Sequence, residues 1–289
     1  MFACLSATLG KCSLIKKEDS GEIYLKDQSL QVPDYRIALD SGHEFLVEVK
    51  NYYQDDPDAP YSFSVPYLDG LRNYAILAKR ELKLAIYWVE WNIWSLVPEN
   101  KIKKEGDLYL ISMIDAFQAN EMYLLGDYQI GTRMPLKMKL VADKNKPRTV
   151  GANGDCRFTI GGVELYCGST RIEDDLEKKI AFFFMLFGQW QHENPVADIV
   201  NDELKSIDFI FDPPEKTPEQ EFEILGPVSS MFALHYKMVT APDDDIEKIS
   251  PKEDLASIVY NIPRDYKGKY LPLWRFTVLP KDKKERANK

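Results

Sequence analysis

Cysteine and histidine are scarce and scattered along this chain. Its 289 residues include four cysteines and three histidines. No two cysteines stand in the C-x-x-C spacing that many zinc sites use, and the histidines are far apart. A structural zinc centre is therefore not expected, and we expect the cysteines to be reduced, mostly buried thiols.

Long apolar runs are also missing. The apolar stretch at 181–187 is far shorter than the roughly 20 residues that a membrane-spanning helix needs. The first residues lack the basic leader and apolar region that are typical of a secretory signal. We therefore expect a cytoplasmic protein with no membrane partner.

An excess of positive charge is missing as well. The formal net charge is -9, whereas a protein that binds nucleic acid by charge alone is usually basic. Charge can still be segregated locally, so the balance counts only moderately against a nucleic-acid partner. Hydrophobic residues make up 45% of the chain and aromatic residues 12%, which is typical of a folded protein with a sizeable core.

The first hundred residues alternate between helical and extended patterns. Strands are predicted for 33–39, 44–50, 82–89 and 91–97, and helices for 2–9 and 65–81. Gly10 is a plausible C-cap of the first helix. This order predicts an α/β fold in which a mixed sheet is flanked by helices.

The rest of the chain is less regular. Residues 99–106 are charged and poor in apolar side chains. We therefore divide the chain into a core at 1–100 and an α+β accessory region at 101–289. In the accessory region the patterns predict strands at 136–142, 157–167 and 270–280, helices at 174–190 and 226–240, and a surface excursion at 193–225.

Three charged residues of the core form a candidate site. Side chains alternate between the two faces of a strand, so Glu48 and Lys50 point the same way. Asp34 lies on the preceding strand, across a turn-rich link. If the turn centres near residues 41–42, Asp34 faces residue 49, and a shift of one residue is needed to bring it to the face of Glu48. An odd-length turn or a bulge would supply that shift.

These residue types suit phosphodiester hydrolysis. Two neighbouring carboxylates can hold Mg²⁺, which prefers oxygen ligands. A lysine beside them can orient or deprotonate the attacking water, or can stabilise the charge that develops on the phosphate. An ordinary surface ion pair on a half-exposed strand face is the alternative interpretation of the same residues.

The pattern Pro33-Asp34, thirteen residues, and then Glu48-Val49-Lys50 resembles the PD-(D/E)xK nuclease superfamily, which has a restriction-endonuclease-like fold. The resemblance covers about residues 2–90. It implies that Asp34 and Glu48 bind Mg²⁺ or Mn²⁺, that the backbone carbonyl of Val49 assists them, and that Lys50 is catalytic. Many members carry a further acid in the helix before the motif, whereas residues 2–9 contain none.

Basic residues outside the motif are candidates for nucleic-acid contacts. Arg72 lies on the predicted helix at 65–81. The stretch 133–157 carries seven lysines and arginines against two aspartates, among them Lys144, Lys146 and Arg148. A flexible basic loop there could contact phosphates, although a solvated turn has the same composition.

The sequence as a whole predicts a metal-dependent endonuclease that acts on DNA, with a role in defence, repair or mobile elements. Two alternatives remain open. The chain could be a non-catalytic module that binds nucleic acid or protein, or a subunit that is active only with a partner. A homodimer is also possible.

Overall fold

The computed structural model describes residues 1–281 except 19–20, 22–23, 25–28, 152, 202, 218, 241–261 and 264. Its helices are α1 (Phe2–Leu9), α2 (Val65–Ala78), α3 (Met113–Gln118), α4 (Asp175–Phe187) and α5 (Val228–Thr240). Its strands are β1 (Cys12–Lys17), β2 (Tyr35–Leu39), β3 (Glu44–Tyr52), β4 (Tyr61–Ser64), β5 (Glu81–Trp88), β6 (Ile93–Pro98), β7 (Lys103–Glu105), β8 (Leu108–Ile111), β9 (Gln129–Thr132), β10 (Leu136–Ala142), β11 (Arg148–Val150), β12 (Cys156–Phe158), β13 (Ile160–Cys167), β14 (Thr170–Ile172), β15 (Gln191–His192), β16 (Val196–Val200), β17 (Glu203–Asp212), β18 (Glu223–Pro227) and β19 (Leu273–Phe276).

The chain forms two compact units. The first contains residues 1–128 together with α5, and the second contains residues 129–227 together with β19. The charged stretch 99–106, where the sequence suggested a boundary, lies inside the first unit. It forms a short 3₁₀ turn and β7, which pairs with β8.

A five-stranded mixed sheet organises the first unit. Its strand order is β1-β2-β3-β5-β6. Strands β3 and β5 are parallel and are connected through α2, whereas the other neighbours in the sheet are antiparallel. A parallel pair needs such a crossover because its strands start at the same edge. The predicted α/β class, with a mixed sheet flanked by helices, is confirmed.

Both faces of this sheet are covered by apolar side chains. On one face α1 and α5 contribute to a core that includes Phe2, Leu5, Phe45, Val47 and Phe232. On the other face α2 contributes to a core that includes Leu46, Leu68, Leu71, Leu84 and Ile86. Neighbouring residues of β3 thus enter opposite cores, as the alternation of strand side chains requires.

The turn between β2 and β3 is closed by a pair of residues that have an odd number of residues between them. The amide of Leu39 donates to the carbonyl of His43 at 2.9 Å, and the amide of Gly42 donates to the carbonyl of Leu39 at 2.8 Å. Three residues therefore separate the paired positions 39 and 43. Gly42 has a φ of 82°, a left-handed conformation that glycine adopts at no steric cost. This three-residue hairpin turn fixes the register of the two strands.

The second unit is built mainly on antiparallel strands. Its larger sheet has the order β14-β13-β10-β17-β15, with β16 paired along β17. Helix α4 lies against β13 and buries Ile180, Phe184 and Phe187. A smaller sheet has the order β18-β9-β19. The helices predicted at 174–190 and 226–240 are present as α4 and α5, each slightly shorter than predicted.

The prediction of a surface excursion at 193–225 is wrong for β17 and for the start of β18, which lie in sheets, whereas residues 193–200 are exposed as predicted. Strand β17 lies inside the larger sheet and pairs with β10. The acidic residues of β17 suggested an exposed segment. However, Asp208 forms ion pairs with Lys137 at 3.2 Å and with Lys139 at 3.7 Å. A charge that has a partner on the neighbouring strand does not force a segment out of a sheet.

None of the helices in the described part of the chain combines the length and the apolar character that crossing a lipid bilayer requires.

Helix α5 joins the first unit through a carboxylate that is distant in sequence. Asp127 accepts hydrogen bonds from the backbone amide of Ser229 at 3.0 Å and from its hydroxyl at 2.6 Å. The carbonyl of Tyr128 accepts from the amide of Val228 at 3.1 Å. These bonds satisfy donors that the first turn of a helix leaves open. Burial of this carboxyl raises the pKa of Asp127 to about 6.

The buried Asp127 predicts a pH dependence of stability. The folded chain holds this proton more tightly than the unfolded chain, whose carboxyl has a pKa of 3.8. The stabilisation is therefore complete below about pH 4 and is lost as the pH rises through about 6. We expect the unfolding free energy of the wild type, relative to Asp127→Asn, to fall by about 2 kcal/mol between pH 4 and pH 7. Urea unfolding at several pH values measures this difference, and a constant difference would contradict it.

Candidate active site

Glu48 and Lys50 share one face of β3, as predicted. They alternate with Val47 and Val49, which enter the core formed with α1 and α5. The carboxylate and the ammonium group therefore point toward the α2 side of the sheet. Glu48 is 3% exposed, so its charge needs partners inside the protein.

The hairpin register brings Asp34 to the same place. Tyr35 pairs with Val47, so the paired positions sum to 82 and Asp34 continues the row opposite Glu48. The sequence alone suggested a sum of about 83, and the odd-length turn at Gly42 supplies the shift of one residue. The carboxylate of Asp34 accepts a hydrogen bond from the backbone amide of Val49 at 2.8 Å. This bond holds Asp34 where regular strand pairing ends.

A tyrosine from α2 completes the cluster. The ammonium group of Lys50 donates to Glu48 Oε1 at 2.5 Å and to the hydroxyl of Tyr67 at 2.8 Å. The hydroxyl of Tyr67 in turn donates to the same oxygen of Glu48. Lys50 also lies 4.9 Å from the centre of the Tyr67 ring, within reach of a cation–π interaction. Each of the three groups thus contacts the other two.

These contacts change the protonation equilibria of the cluster. Burial acts to lower the pKa of Lys50, but the hydrogen bonds and negative charge of Glu48, with the hydrogen bond of Tyr67, raise it above its ordinary value. Burial and the hydrogen bond to Glu48 raise the pKa of Tyr67 to about 12. The geometry therefore stabilises a charged lysine beside a neutral tyrosine.

Tyr67 was visible in the sequence as one of several polar residues on the predicted helix, but nothing in the pattern singled it out. The relevance of Tyr67 follows from its position in the first turn of α2. The crossover from β3 returns through β4 and α2 before β5, so the start of α2 meets the face that carries Glu48. A second tyrosine, Tyr61 on β4, lies within the electrostatic field of Glu48 and Lys50.

Glu18 extends the row of carboxylates. The amide of Glu18 donates to the carbonyl of Asp34 at 2.9 Å, which continues the pairing of β1 with β2. Its own carboxylate accepts from the hydroxyl of Tyr74 on α2 at 3.1 Å and lies 3.3 Å from Arg36. Residues 2–9 supply no acid, and Glu18, which directly follows β1, braces the end of that strand against α2.

The cluster contains residue types that can bind a divalent cation. Asp34 and Glu48 offer the carboxylate oxygens that Mg²⁺ prefers, and Mg²⁺ is often held by one or two carboxylates with several waters. Within the described ranges, no group of three or more histidine, cysteine, aspartate or glutamate side chains is arranged to hold a metal ion. The fit therefore rests on two carboxylates, with water or substrate supplying the other ligands.

Arg72 is held by an internal network. Its guanidinium donates to Glu99 at 2.7 Å and to Asp69 at 3.1 Å. It also lies 4.4 Å from the centre of the Tyr109 ring. These contacts already compensate the charge that the sequence assigned to nucleic-acid binding. A role of Arg72 in binding stays a prediction, and its contacts indicate that it links α2 to residues 99–109.

The other basic candidates belong to the second unit and not to this cluster. Lys144 and Lys146 lie in the loop between β10 and β11, and Arg148 begins β11. Arg148 forms an ion pair with Glu203. Lys144 and Arg148 line a groove of the second unit.

The solved structure of a Holliday junction resolvase, Hjc from Archaeoglobus fulgidus, matches 39% of this chain and 84% of its own, with 13% sequence identity and a TM-score of 0.31. A scan against protein-family models and a search of curated proteins find no match.

The Glu48–Lys50 pair predicts strong coupling between two substitutions. Glu48→Gln leaves the partly buried ammonium group without its counter-charge, and Lys50→Met leaves a buried carboxylate without its cation. We expect each single change to lower the unfolding free energy by about 1–4 kcal/mol. The double variant is expected to lose less than the sum, by about 1–3 kcal/mol. Urea unfolding of the four proteins measures this coupling. Additive effects would show that the two groups do not interact.

Proposed function

We propose that this chain is a divalent-metal-dependent nuclease that hydrolyses phosphodiester bonds in DNA, with Asp34, Glu48 and Lys50 as its catalytic residues. The observation that supports the proposal most is the register of β2 and β3. It brings Asp34 into line with Glu48, while Lys50 lies two residues further along the same face.

Asp34 and Glu48 are the residues that would hold Mg²⁺ or Mn²⁺, together with the backbone carbonyl of Val49. When bound, the cation supplies positive charge to a phosphoryl oxygen and lowers the pKa of a bound water. The carboxylates suit this task because their positions are fixed in different ways. Glu48 lies within a central strand, and Asp34 is held by the amide of Val49.

Lys50 would act on the phosphate. An ammonium group has three N–H donors, and here two of them are used by Glu48 and Tyr67. The third can donate to a phosphate oxygen on which negative charge develops during the attack of water. Lys50 is 24% exposed in its side chain, whereas Glu48 is 4% exposed, so the lysine is the member of the pair that substrate can reach.

Tyr67 is a positioning residue in this mechanism. Its hydroxyl contacts both Glu48 and Lys50, so it limits the rotation of each side chain. Groups that are fixed before the substrate arrives stabilise developing charge without reorganisation.

A non-catalytic module that binds nucleic acid is the second candidate function. One observation favours it: Glu48 already has two partners, Lys50 and Tyr67, on the same carboxylate oxygen. A network closed in this way is stable without a bound cation. Metal-dependent turnover separates the two candidates.

The proposal predicts DNA cleavage that depends on metal and on all three residues. Purified protein would be incubated with supercoiled plasmid and with single-stranded DNA in Mg²⁺, Mn²⁺ or EDTA. We expect cleavage with either metal and none in EDTA. Lys50→Ala, Glu48→Gln and Asp34→Asn are each expected to lower the rate by about 100-fold or more.

Lys103→Ala is a matched control, since Lys103 is an exposed lysine of the same unit that forms an ion pair with Asp115 at 2.8 Å. It should cleave at the wild-type rate after the same purification. Wild-type cleavage by a folded Lys50→Ala variant would overturn the assignment. Absence of cleavage in every condition would favour a binding module, or a subunit that needs a partner.

A further inference from the structure

The second unit contains a groove lined by basic side chains. It has a volume of about 770 Å³ and lies beside the loop between β10 and β11. Four cations line it, whereas two acids do so. The cations are Lys144, Arg148, Arg171 and Lys205. They come from three segments of this unit, namely the loop before β11 with its first residue, β14 and β17, so the fold gathers charge that is dispersed along the sequence.

The acids at the groove are already used by the protein. Asp143 accepts a hydrogen bond from the amide of Asn145 at 2.9 Å, which shapes the loop that carries Lys144. Glu164 accepts from the hydroxyl of Tyr166 at 2.7 Å and forms an ion pair with Arg171 at 3.2 Å. These carboxylates fix the walls of the groove.

Positive charge remains available after the internal ion pairs are formed. Arg148 and Lys205 both contact one carboxylate, that of Glu203, so two cations share a single negative charge. Lys144 has no ion-pair partner among the residues that the structure describes. Lys146 lies in the same loop but does not line the groove.

Two glycines, Gly161 and Gly162, form part of the groove wall. The pairing of β10 with β13 shifts between Val141 and Ala142, which leaves Gly161 as a bulge residue. A Cβ atom at Gly161 would lie 2.9 Å from the Cα of Asp143, so a larger residue does not fit there. A Cβ atom at Gly162 would meet no other heavy atom within 4 Å. The chain at Gly162 is therefore open to close approach by a ligand.

We propose that this groove binds the sugar-phosphate backbone of nucleic acid. Cations that are spread along a groove, two of which share the carboxylate of Glu203, can contact the regularly spaced phosphates of a nucleic-acid chain. The glycine backbone at Gly162 lets such a chain approach closely. The inference builds on the proposed function, because a nuclease needs contacts that hold its substrate. It adds Arg171, Lys205 and Gly162 to the two groove residues, Lys144 and Arg148, that the sequence had suggested.

The test measures binding separately from cleavage. Full-length protein in EDTA would be titrated into a fluorescein-labelled 30-nucleotide DNA, single-stranded or duplex, and anisotropy would be recorded at 50–300 mM NaCl. Lys144→Ala is expected to weaken binding by up to about tenfold at the lowest salt and to reduce the slope of log affinity against log salt by about 1. Lys205→Ala should act in the same direction.

Gly162→Leu tests the shape of the groove without changing its charge. The added side chain enters open space, so the fold is expected to stay intact, with an unchanged urea midpoint. Its affinity should fall at least as much as that of Lys144→Ala. Lys178→Ala is the matched control, since this lysine lies on α4 of the same unit and pairs with Asp175. It should bind like the wild type.

Competitors identify the ligand class. An unlabelled 30-nucleotide DNA should displace the probe, while a mononucleotide or inorganic phosphate at the same phosphate concentration should not. Equal competition by a mononucleotide would replace the proposal with a small phosphate site. Equal competition by polyglutamate would replace it with a site for acidic peptides. Groove variants that bind like Lys178→Ala, or a wild type that binds neither DNA, would overturn it.

The two proposals fail in different ways. If the groove variants bind weakly but the wild type cleaves nothing in Mg²⁺ or Mn²⁺, the nuclease proposal fails and the groove stands. If the wild type cleaves DNA and the groove variants retain full affinity, the groove proposal fails and the active site stands.

Discussion

The register between β2 and β3 is the constraint on which the candidate active site depends. Side chains alternate along a strand, so a slip of one residue would turn Asp34 to the opposite face from Glu48. The three-residue turn that ends at the pair of Leu39 and His43 prevents this slip, and Gly42 makes the turn possible with its left-handed conformation. The relative position of Asp34 and Glu48 is therefore set by a turn about eight residues from Asp34, and this turn contributes no side chain to the site.

Burial explains why the charged groups of the site are found together. Glu48 lies in a strand whose neighbours are apolar, so an unpaired carboxylate there would be costly. Lys50 supplies the counter-charge, and Tyr67 supplies a neutral donor from the helix that covers the same face. Each group of this set has partners within it, and the side chain of Lys50 stays 24% exposed. The same interactions that allow the charges to be buried thus also fix their orientation.

Local patterns in the sequence predicted α1, α2, β2, β3, β5 and β6, because apolar periodicity and turn residues act over a few residues, but they missed the short elements β1, β4, β7, β8 and α3. They also predicted that Asp34, Glu48 and Lys50 belong together. They did not predict Tyr67, Glu18 or the return of α5 to the first unit, since these depend on contacts between distant segments. The bond from Ser229 to Asp127 spans 102 residues. Strand β17 was missed for a related reason: its aspartate is compensated by lysines on another strand, which a local pattern does not reveal.

Compensation of charges between distant segments also changes how the net charge of -9 should be understood. Nucleic-acid binding depends on the cations that remain available after internal pairing, and the total charge does not measure that quantity. Arg72 is a basic residue on a helix beside the site, yet Glu99 and Asp69 compensate it. Lys144 stands in a loop next to Asp143, whose carboxylate accepts from the backbone amide of Asn145 and has no recorded contact with Lys144. An acidic chain can therefore present a basic groove, because acids such as Glu99, Asp69 and Asp143 are placed where they neutralise structural cations or shape loops.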